Sequence, residues 1–108
     1  MLVTDATFQQ EVLDSPVPVL VDFYADWCAP CRNAAPVIEA IAEEYAGKVK
    51  VVKVNVDTDN IRAGEQGVRG IPNFIVFNGG QRVAQFVGFS DTVATTIREA
   101  LDSTLASK

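Results

Sequence analysis

Hydrophobic and polar positions along this chain alternate between the short period of strands and the longer period of helices. Four segments rich in β-branched and aromatic residues predict strands, at 17–25, 49–56, 73–77 and 82–87. The first two carry apolar residues on both faces of the pleat, as central strands of a covered sheet do. The last two are joined by Asn-Gly-Gly-Gln, residues 78–81, which predicts a hairpin turn.

Apolar residues at helical spacing predict two helices in the first half of the chain. Thr4 or Asp5 can cap the first helix, which continues to about residue 13. The second helix covers about 28–45 and contains Pro36, which should remove one backbone hydrogen bond and kink it. Because this second helix connects the first two strands, those strands should be parallel.

Two further helices are predicted in the second half of the chain. The segment 58–66 is typical of a short, weak helix, and Ser90 caps a long helix whose end, 106–108, should fray. Together these elements predict an α/β fold with a central mixed sheet and helices on both of its faces. With 108 residues, of which 48% are apolar, the chain should form a single domain over 1–108.

Composition and charge argue against several functions. The 14 acidic and 9 basic residues give a net charge of −5, which disfavours a nucleic-acid groove, since affinity there comes mostly from Lys and Arg on phosphates. The sequence has no histidine, so Ser-His and Cys-His nucleophile pairs and Cys/His zinc sites are ruled out. We therefore expect neither a nucleic acid nor a metal as a ligand.

The chain shows no sign of an export or membrane segment. Its start, MLVTDATFQ, lacks the basic and apolar regions of a signal peptide, and its longest apolar run, 17–21, is too short to cross a bilayer. Unless a signal was trimmed from it, we expect a cytoplasmic protein without a membrane partner. Thiols in that compartment are mostly kept reduced.

The two cysteines, Cys28 and Cys31, follow the first predicted strand and could clip a metal, staple the fold or act as a redox pair. Two cysteines without histidine cannot complete a four-ligand zinc site unless carboxylates join them. A disulfide across so short a loop would stabilise the fold by only about 2 kcal/mol. A redox pair therefore explains the spacing best, although C-x-x-C alone also occurs in zinc knuckles.

As a redox pair, the two cysteines are not equivalent. Residues three apart on a helix have Cβ atoms about 5–6 Å apart, close enough for a disulfide after a small rotation. Cys28 falls at a helix N-terminus, where free N–H groups and the helix dipole favour a thiolate, and Cys31 lies one turn further in. We expect Cys28 to attack a substrate disulfide and Cys31 to resolve the mixed disulfide, while Pro30 stiffens the loop between them.

The surroundings of the cysteines are more specific than their spacing. Trp-Cys-x-Pro-Cys after a strand, at the start of a helix in a βαβ unit, resembles the active-site motif of the thioredoxin family. The resemblance extends from about Thr4 to Leu105 and rests on VDFYADWCAPCR, Pro36, VKVNVD, RGIP, FNGG and FVGF. It implies the thioredoxin fold and protein-disulfide reductase activity through a Cys28–Cys31 dithiol, with no bound cofactor. It also implies a thioredoxin reductase that supplies electrons from NADPH and disulfide-containing proteins as substrates.

The resemblance also implies roles for residues beside the sulfurs. Asp22 would lie buried beneath Cys31 and accept its proton, since burial raises the pKa of a carboxyl group; the alternative is an exposed aspartate on an edge strand. Lys53 matches the family's lysine near that aspartate, although a solvated strand lysine explains it equally well. Trp27 could belong to the core but more often walls such an active site and touches substrate.

A second group of residues should face the disulfide from across the site. Ile71-Pro72 resembles the family's cis-proline loop, whose backbone pairs with an extended substrate segment. Gly70 and Gly88 would keep that approach open, and Phe89 would add apolar contact beside it. The substrate-binding set is completed by Trp27 and the two residues between the cysteines, Ala29 and Pro30.

The sequence departs from the family pattern at five positions near the site. Ala29 replaces the usual glycine, Tyr24 a tryptophan, Arg32 a lysine, Asn73 a threonine and Phe89 a small residue. A Gly-to-Ala change in a helical turn is worth at most about 1 kcal/mol, or on the order of 20 mV for a two-electron couple. Asn73 and Phe89 bear on recognition instead, and Phe89 should narrow the range of partner proteins.

Two other functions remain open at this point. A dedicated thiol-disulfide oxidant or isomerase outside the cytoplasm would use the same motif at a much higher reduction potential. A binding subunit would use the same fold with cysteines that do no chemistry. The leading hypothesis is a monomeric protein-disulfide reductase, and a measured reduction potential would best separate it from the oxidant.

Overall fold

Four strands form one mixed sheet in the order β2-β1-β3-β4, in a computed structural model that describes residues 1–107. The strands are β1 (Val19–Tyr24), β2 (Lys50–Asn55), β3 (Asn73–Asn78) and β4 (Gln81–Val87). β1 runs parallel to β2 and antiparallel to β3, and β3 pairs with β4 as an antiparallel hairpin. The predicted α/β fold with a central mixed sheet is thus confirmed, and so is the parallel pairing of the first two strands.

The prediction that β2 is a central strand is wrong, because β2 lies at one end of the strand order. Its outer edge is covered by the start of the chain: the Val3 amide donates to the Lys53 carbonyl at 2.8 Å, and the Lys53 amide donates to the Met1 carbonyl at 2.8 Å. Val52 and Val54 are buried, so packing on its face explains its apolar pattern. β3 is the second central strand instead.

Three α-helices surround the sheet: α1 (Ala29–Glu44), α2 (Asn60–Glu65) and α3 (Asp91–Ala106). α1 continues through Pro36, and the Ser90 hydroxyl accepts a hydrogen bond from the Val93 amide at 3.2 Å as the predicted cap of α3. α3 is helical as far as Ala106, the first residue of the end that we expected to fray; Lys108 lies outside the described residues.

The predicted first helix is not an α-helix. The chain makes a turn capped by Thr4, whose hydroxyl accepts from the Thr7 amide at 3.3 Å, and then a π-helix over Gln9–Leu13. The Asp14 amide donates to the Gln9 carbonyl at 2.8 Å, and the Gln9 and Asp14 side chains bridge the same two residues at 2.9 Å. This five-residue spacing gives the wider turn of a π-helix.

Two apolar layers hold the fold together, one on each face of the sheet. The first joins one face to the N-terminal segment and α2, through residues including Phe8, Val12, Phe23, Ala63, Ile75 and Phe77. The second joins the other face to α1 and α3, through residues including Leu20, Ile38, Ile41, Phe74, Ile97 and Leu101. Helices therefore lie on both faces, as predicted.

Among the described residues, no helix is both long and apolar enough to cross a membrane.

Candidate active site

The site lies where β1 ends and α1 begins. Cys28 is the N-cap of α1 in an extended conformation (φ −83°, ψ 110°), and its Sγ accepts a hydrogen bond from the Cys31 amide at 3.3 Å. Pro30 stands in the first turn of α1, where its missing N–H leaves no hydrogen bond unmade. The helix start therefore places Cys28 Sγ against the free amides of the first turn.

Cys31 lies one helical turn in and is 5% exposed, and both cysteines are free thiols. Burial raises the pKa of Cys31 to about 12, and the hydrogen bond with Cys28 and the nearby charge of Asp22 act in the same direction. A hydrogen bond with the Ala25 backbone acts against these effects. Cys31 therefore holds its proton until a base removes it.

Asp22 is a buried carboxylate with the properties of such a base. It is 1% exposed in the middle of β1, opposite Lys53 on one side and Phe74 on the other. Burial raises its pKa from 3.8 to about 6, partly offset by the positive charge of Lys53. No hydrogen-bond partner of its Oδ1 lies among residues 1–107. β1 is an internal strand, so Asp22 is not an exposed aspartate on an edge strand.

Lys53 acts on Asp22 through space and forms no ion pair with any of the described residues. Its Nζ lies 4.3 Å from the centroid of the Tyr24 ring, a cation–π contact. Lys53 and Tyr24 line a cavity of about 250 Å³ together with Asp26, Cys31 and Arg32. The lysine is thus neither fully solvated nor paired, and its side chain shares this cavity with Cys31.

Trp27 lies on the surface, with 68% of its area exposed. Its indole N–H donates to Asp57 Oδ2 at 2.9 Å. The sequence analysis missed Asp57 as a member of the site. One signal could have found it: Asp57 follows β2 as Trp27 follows β1, and the carboxyl ends of parallel strands meet at one edge of a sheet.

The loop before β3 faces Cys28. The Ile71–Pro72 peptide bond is cis, as the resemblance implied, and Cys28 Sγ donates to the Ile71 carbonyl at 3.8 Å. The Gly88 amide donates to the Pro72 carbonyl at 2.8 Å, and Gly88 has a φ of +82° that favours glycine. Gly70 is exposed, and a Cβ there would lie 3.3 Å from Val87 Cγ1.

Phe89 and Asn73, which we expected to bear on recognition, are both at least partly buried. Phe89 is half-buried and packs against the apolar layer under α1 and α3. Asn73 is 1% exposed, and its Oδ1 accepts a hydrogen bond from Gln85 Nε2 at 3.1 Å. Neither side chain is a freely exposed contact surface.

A groove of about 300 Å³ lies beside Cys28, between Trp27 and Ile71. Its other lining residues come from the end of β2, from α2 and from the segment after α2: Val56, Asn60, Ala63, Gly64, Val68 and Arg69. Ala29 and Pro30 are exposed at the start of α1. The sequence analysis missed the contribution of α2, since only the fold brings this helix to the cysteines. Among residues 1–107, no group of three or more Cys, Asp or Glu side chains could hold a metal ion.

Comparisons with known proteins agree with this arrangement. The family model described as Thioredoxin matches residues 1–102. The chain belongs to the thioredoxin family. It is 53% identical over 103 residues to Thioredoxin 1 of Nostoc sp., covering 95% of this chain and 94% of that protein. It is also 52% identical to Thioredoxin 1 of Synechococcus elongatus over 103 residues, covering 95% and 94% of the two chains.

A third relative, the Thioredoxin of Synechocystis sp., is 50% identical over 101 residues, or 92% of this chain and 94% of that protein. Membership of the thioredoxin family makes the chain a thiol-disulfide oxidoreductase, and specifically a protein-disulfide reductase. Thioredoxins carry no prosthetic group and work through their own dithiol, which here is Cys28 and Cys31.

Proposed function

We propose that Cys28 is the attacking cysteine. Its thiolate attacks one sulfur of a substrate disulfide; a Cys28–substrate disulfide forms, the substrate S–S bond breaks, and the second substrate sulfur leaves as a thiolate that takes up a proton. The observation that carries this assignment is the asymmetry of the pair. Cys28 Sγ accepts a hydrogen bond from the Cys31 amide at the start of α1, whereas burial raises the pKa of Cys31 and keeps it protonated.

Cys31 then resolves the mixed disulfide. It loses its proton to Asp22 and attacks Cys28 Sγ, and the first substrate sulfur leaves as a thiolate that takes up a proton in turn. The substrate is then a dithiol and the protein carries a Cys28–Cys31 disulfide. Two electrons have passed from the protein to the substrate. The raised pKa of Asp22 supports its role, because a carboxylate with a pKa of about 6 accepts protons near neutral pH. The positive charge of Lys53 limits the rise in the pKa of Asp22.

The groove and the loop beside it receive the substrate in this proposal. Trp27, Ala29 and Pro30 form one wall, and an extended segment of the substrate pairs with the backbone of Ile71 next to Pro72. Gly70 and Gly88 leave room for that segment, and the exposed part of Phe89 adds apolar contact beside it. The exposed side chain of Trp27 and its position beside Ile71 in the groove are what favour this surface over others.

The oxidised protein has to be reduced again to act more than once. The family resemblance favours a thioredoxin reductase that passes electrons from NADPH to the Cys28–Cys31 disulfide. We propose that the chain works in the cytoplasm as a single monomeric domain over 1–108, with disulfide-containing proteins as its substrates. Reducing compartments suit this direction of electron flow, because they keep the protein in its dithiol form.

The test is insulin reduction with NADPH and a thioredoxin reductase. The wild type should reduce insulin, Cys28→Ser should abolish turnover, and Cys31→Ser should accumulate a mixed disulfide that gel electrophoresis without reductant detects. The two serine variants control for each other, since each removes one sulfur from the same site. Trapping by Cys28→Ser instead of Cys31→Ser would reverse the assigned roles, and turnover by Cys28→Ser would contradict them.

A further inference from the structure

A chain of side-chain hydrogen bonds runs from the cis-proline loop to the end of α2. Gln85 Nε2 donates to Asn73 Oδ1 at 3.1 Å, and Arg82 Nη2 donates to Gln85 Oε1 at 2.6 Å. Arg82 Nη1 donates to the backbone carbonyl of Gln66 at 2.7 Å. Asn73 is buried at one end of this chain, whereas Arg82 and Gln85 are exposed.

An irregularity in the β3–β4 hairpin makes this chain of contacts possible. Val76 pairs with Ala84, but Phe77 pairs with Arg82, so Val83 is an extra residue in β4. In a regular strand, residues three apart point to opposite faces; the extra residue returns Arg82 to the face that carries Gln85. Asn73 lies diagonally across the ladder from Gln85, on that same face.

The two ends of this hydrogen-bond chain adjoin two of the walls of the groove, the cis-proline loop and α2. Asn73 follows Pro72 directly, and the Ile71 carbonyl on that loop accepts from Cys28 Sγ at 3.8 Å. Gln66 is the C-cap of α2, whose Asn60, Ala63 and Gly64 line the groove. The short segment 67–70 connects the helix to the loop along the chain, and these hydrogen bonds connect the same two elements a second time through the edge strand β4.

We propose that Asn73, Gln85 and Arg82 are positioning residues that hold the cis-proline loop and α2 at a fixed separation for protein substrates. This inference rests on the proposed use of the groove by substrate. A protein substrate has to contact both walls at once, so it binds best when their separation is fixed in advance. A small disulfide that reaches only Cys28 does not need the second wall.

The test varies insulin at saturating thioredoxin reductase and NADPH. Arg82→Ala and Gln85→Leu should each raise KM for insulin about fivefold with kcat nearly unchanged, since one intramolecular hydrogen bond is worth about that factor. The rate at which the reduced variants react with a small aromatic disulfide should stay at the wild-type value. Gln85→Glu should keep the wild-type KM. Its carboxylate still accepts a hydrogen bond from Arg82, and it accepts one from Asn73 once the Asn73 side-chain amide has rotated.

Arg98→Ala is the matched control. Arg98 is also a surface arginine with two hydrogen bonds, both to Glu44 at 2.9 Å, but it joins α1 to α3 away from the groove. This control should leave KM for insulin unchanged. If Arg82→Ala behaves like Arg98→Ala, or if both substrates slow equally in Arg82→Ala, the positioning role is wrong.

A second measurement tests the direct link to the loop. Asn73→Ala and Arg82→Ala, combined in one protein, should raise KM no further than Asn73→Ala alone, because both break one connected chain. Additive effects on KM would show two independent contributions and overturn the proposal. Failure of the wild type itself to reduce insulin would contradict the proposed function instead, so the two failures are distinguishable.

Discussion

The active site and the α1–α3 contact treat their polar groups in opposite ways. At the contact, the Tyr45 hydroxyl donates to Asp102 Oδ1 at 2.6 Å, and Arg98 makes two hydrogen bonds of 2.9 Å to Glu44. At the site, Asp22 is buried with an Oδ1 that finds no partner among residues 1–107. The contact satisfies its polar groups and serves stability. The site retains an unsatisfied carboxylate that stability alone would remove, which points to a chemical use.

The largest expected effect is on stability at Asp22. The pKa of Asp22 rises from 3.8 to about 6 on folding, so its charge should destabilise the fold at pH 7 by about 3 kcal/mol. Asp22→Asn should raise the free energy of unfolding by up to that amount, measured by urea denaturation. The same change at the contact, Asp102→Asn, should lower it slightly, because the amide is a weaker acceptor for Tyr45. If both substitutions changed the free energy of unfolding in the same direction, the two carboxylates would not differ in the way described.

The pH dependence of stability tests the raised pKa of Asp22 separately. Between 3.8 and about 6 the folded state holds a proton on Asp22 that the unfolded state has lost, so this residue makes stability fall as pH rises through that window. Below and above the window its contribution is constant. The difference in unfolding free energy between wild type and Asp22→Asn should therefore grow from pH 4 to about 6 and then level off. A flat difference would mean that Asp22 titrates normally.

A smaller loss is expected at the contact when Tyr45 loses its hydroxyl. Burial raises the pKa of Tyr45 to about 12, so the phenol keeps its proton and donates to Asp102. Tyr45→Phe should lower the free energy of unfolding by about 1 kcal/mol and leave insulin reduction unchanged. A changed reduction rate would show that the contact is not confined to stability.

At the site, Ala29 should tune the reduction potential only slightly. Ala29→Gly should shift it by at most about 20 mV, since the change in helical stability is at most about 1 kcal/mol. Equilibration of the wild type with a glutathione buffer should give a value near that of thioredoxin, about −270 mV. A potential above about −150 mV would favour the oxidant that the sequence alone left open.

The smallest effect is expected at the exposed tryptophan. Trp27→Phe keeps an aromatic surface but loses the hydrogen bond to Asp57. KM for insulin should rise about threefold, while unfolding free energy stays within about 0.5 kcal/mol, as for other surface changes. Asp57→Asn keeps an acceptor oxygen for the indole and should match the wild type. A large loss of stability in Trp27→Phe would place Trp27 with the structural contacts instead.

Patterns local in sequence predicted most of the fold. Apolar spacing located α1, α2, α3 and the four strands to within a few residues, and the cysteine motif marked the start of α1. The errors came from contacts that apolar spacing does not encode: residues 1–3 cover the edge of β2, and the Gln9–Asp14 pair accompanies a π-helix where periodicity predicts an α-helix. No local pattern distinguishes a covered edge strand from a central one.

The site residues, too, could be predicted where they belong to patterns local in sequence. Cys28, Cys31, Pro30 and the cis-proline loop belong to short motifs, and these could be predicted to lie together. The hydrogen bond between Trp27 and Asp57, the groove lining from α2 and the link from Asn73 through Gln85 depend on pairing between distant segments. The packing of Phe89 against the layer under α1 and α3 also depends on contacts between distant segments.

The most direct test of the account is the pH profile of the resolving step. Mixing the reduced protein with a saturating peptide disulfide in a stopped-flow instrument isolates that step, and the single tryptophan, Trp27, reports it by fluorescence. The wild-type rate should rise with pH through an inflection near 6, where Asp22 becomes able to accept the Cys31 proton. Asp22→Asn should lose this inflection and resolve up to about a hundredfold more slowly at pH 7. The same profile and rate in both proteins would contradict the assignment of Asp22 as the proton acceptor.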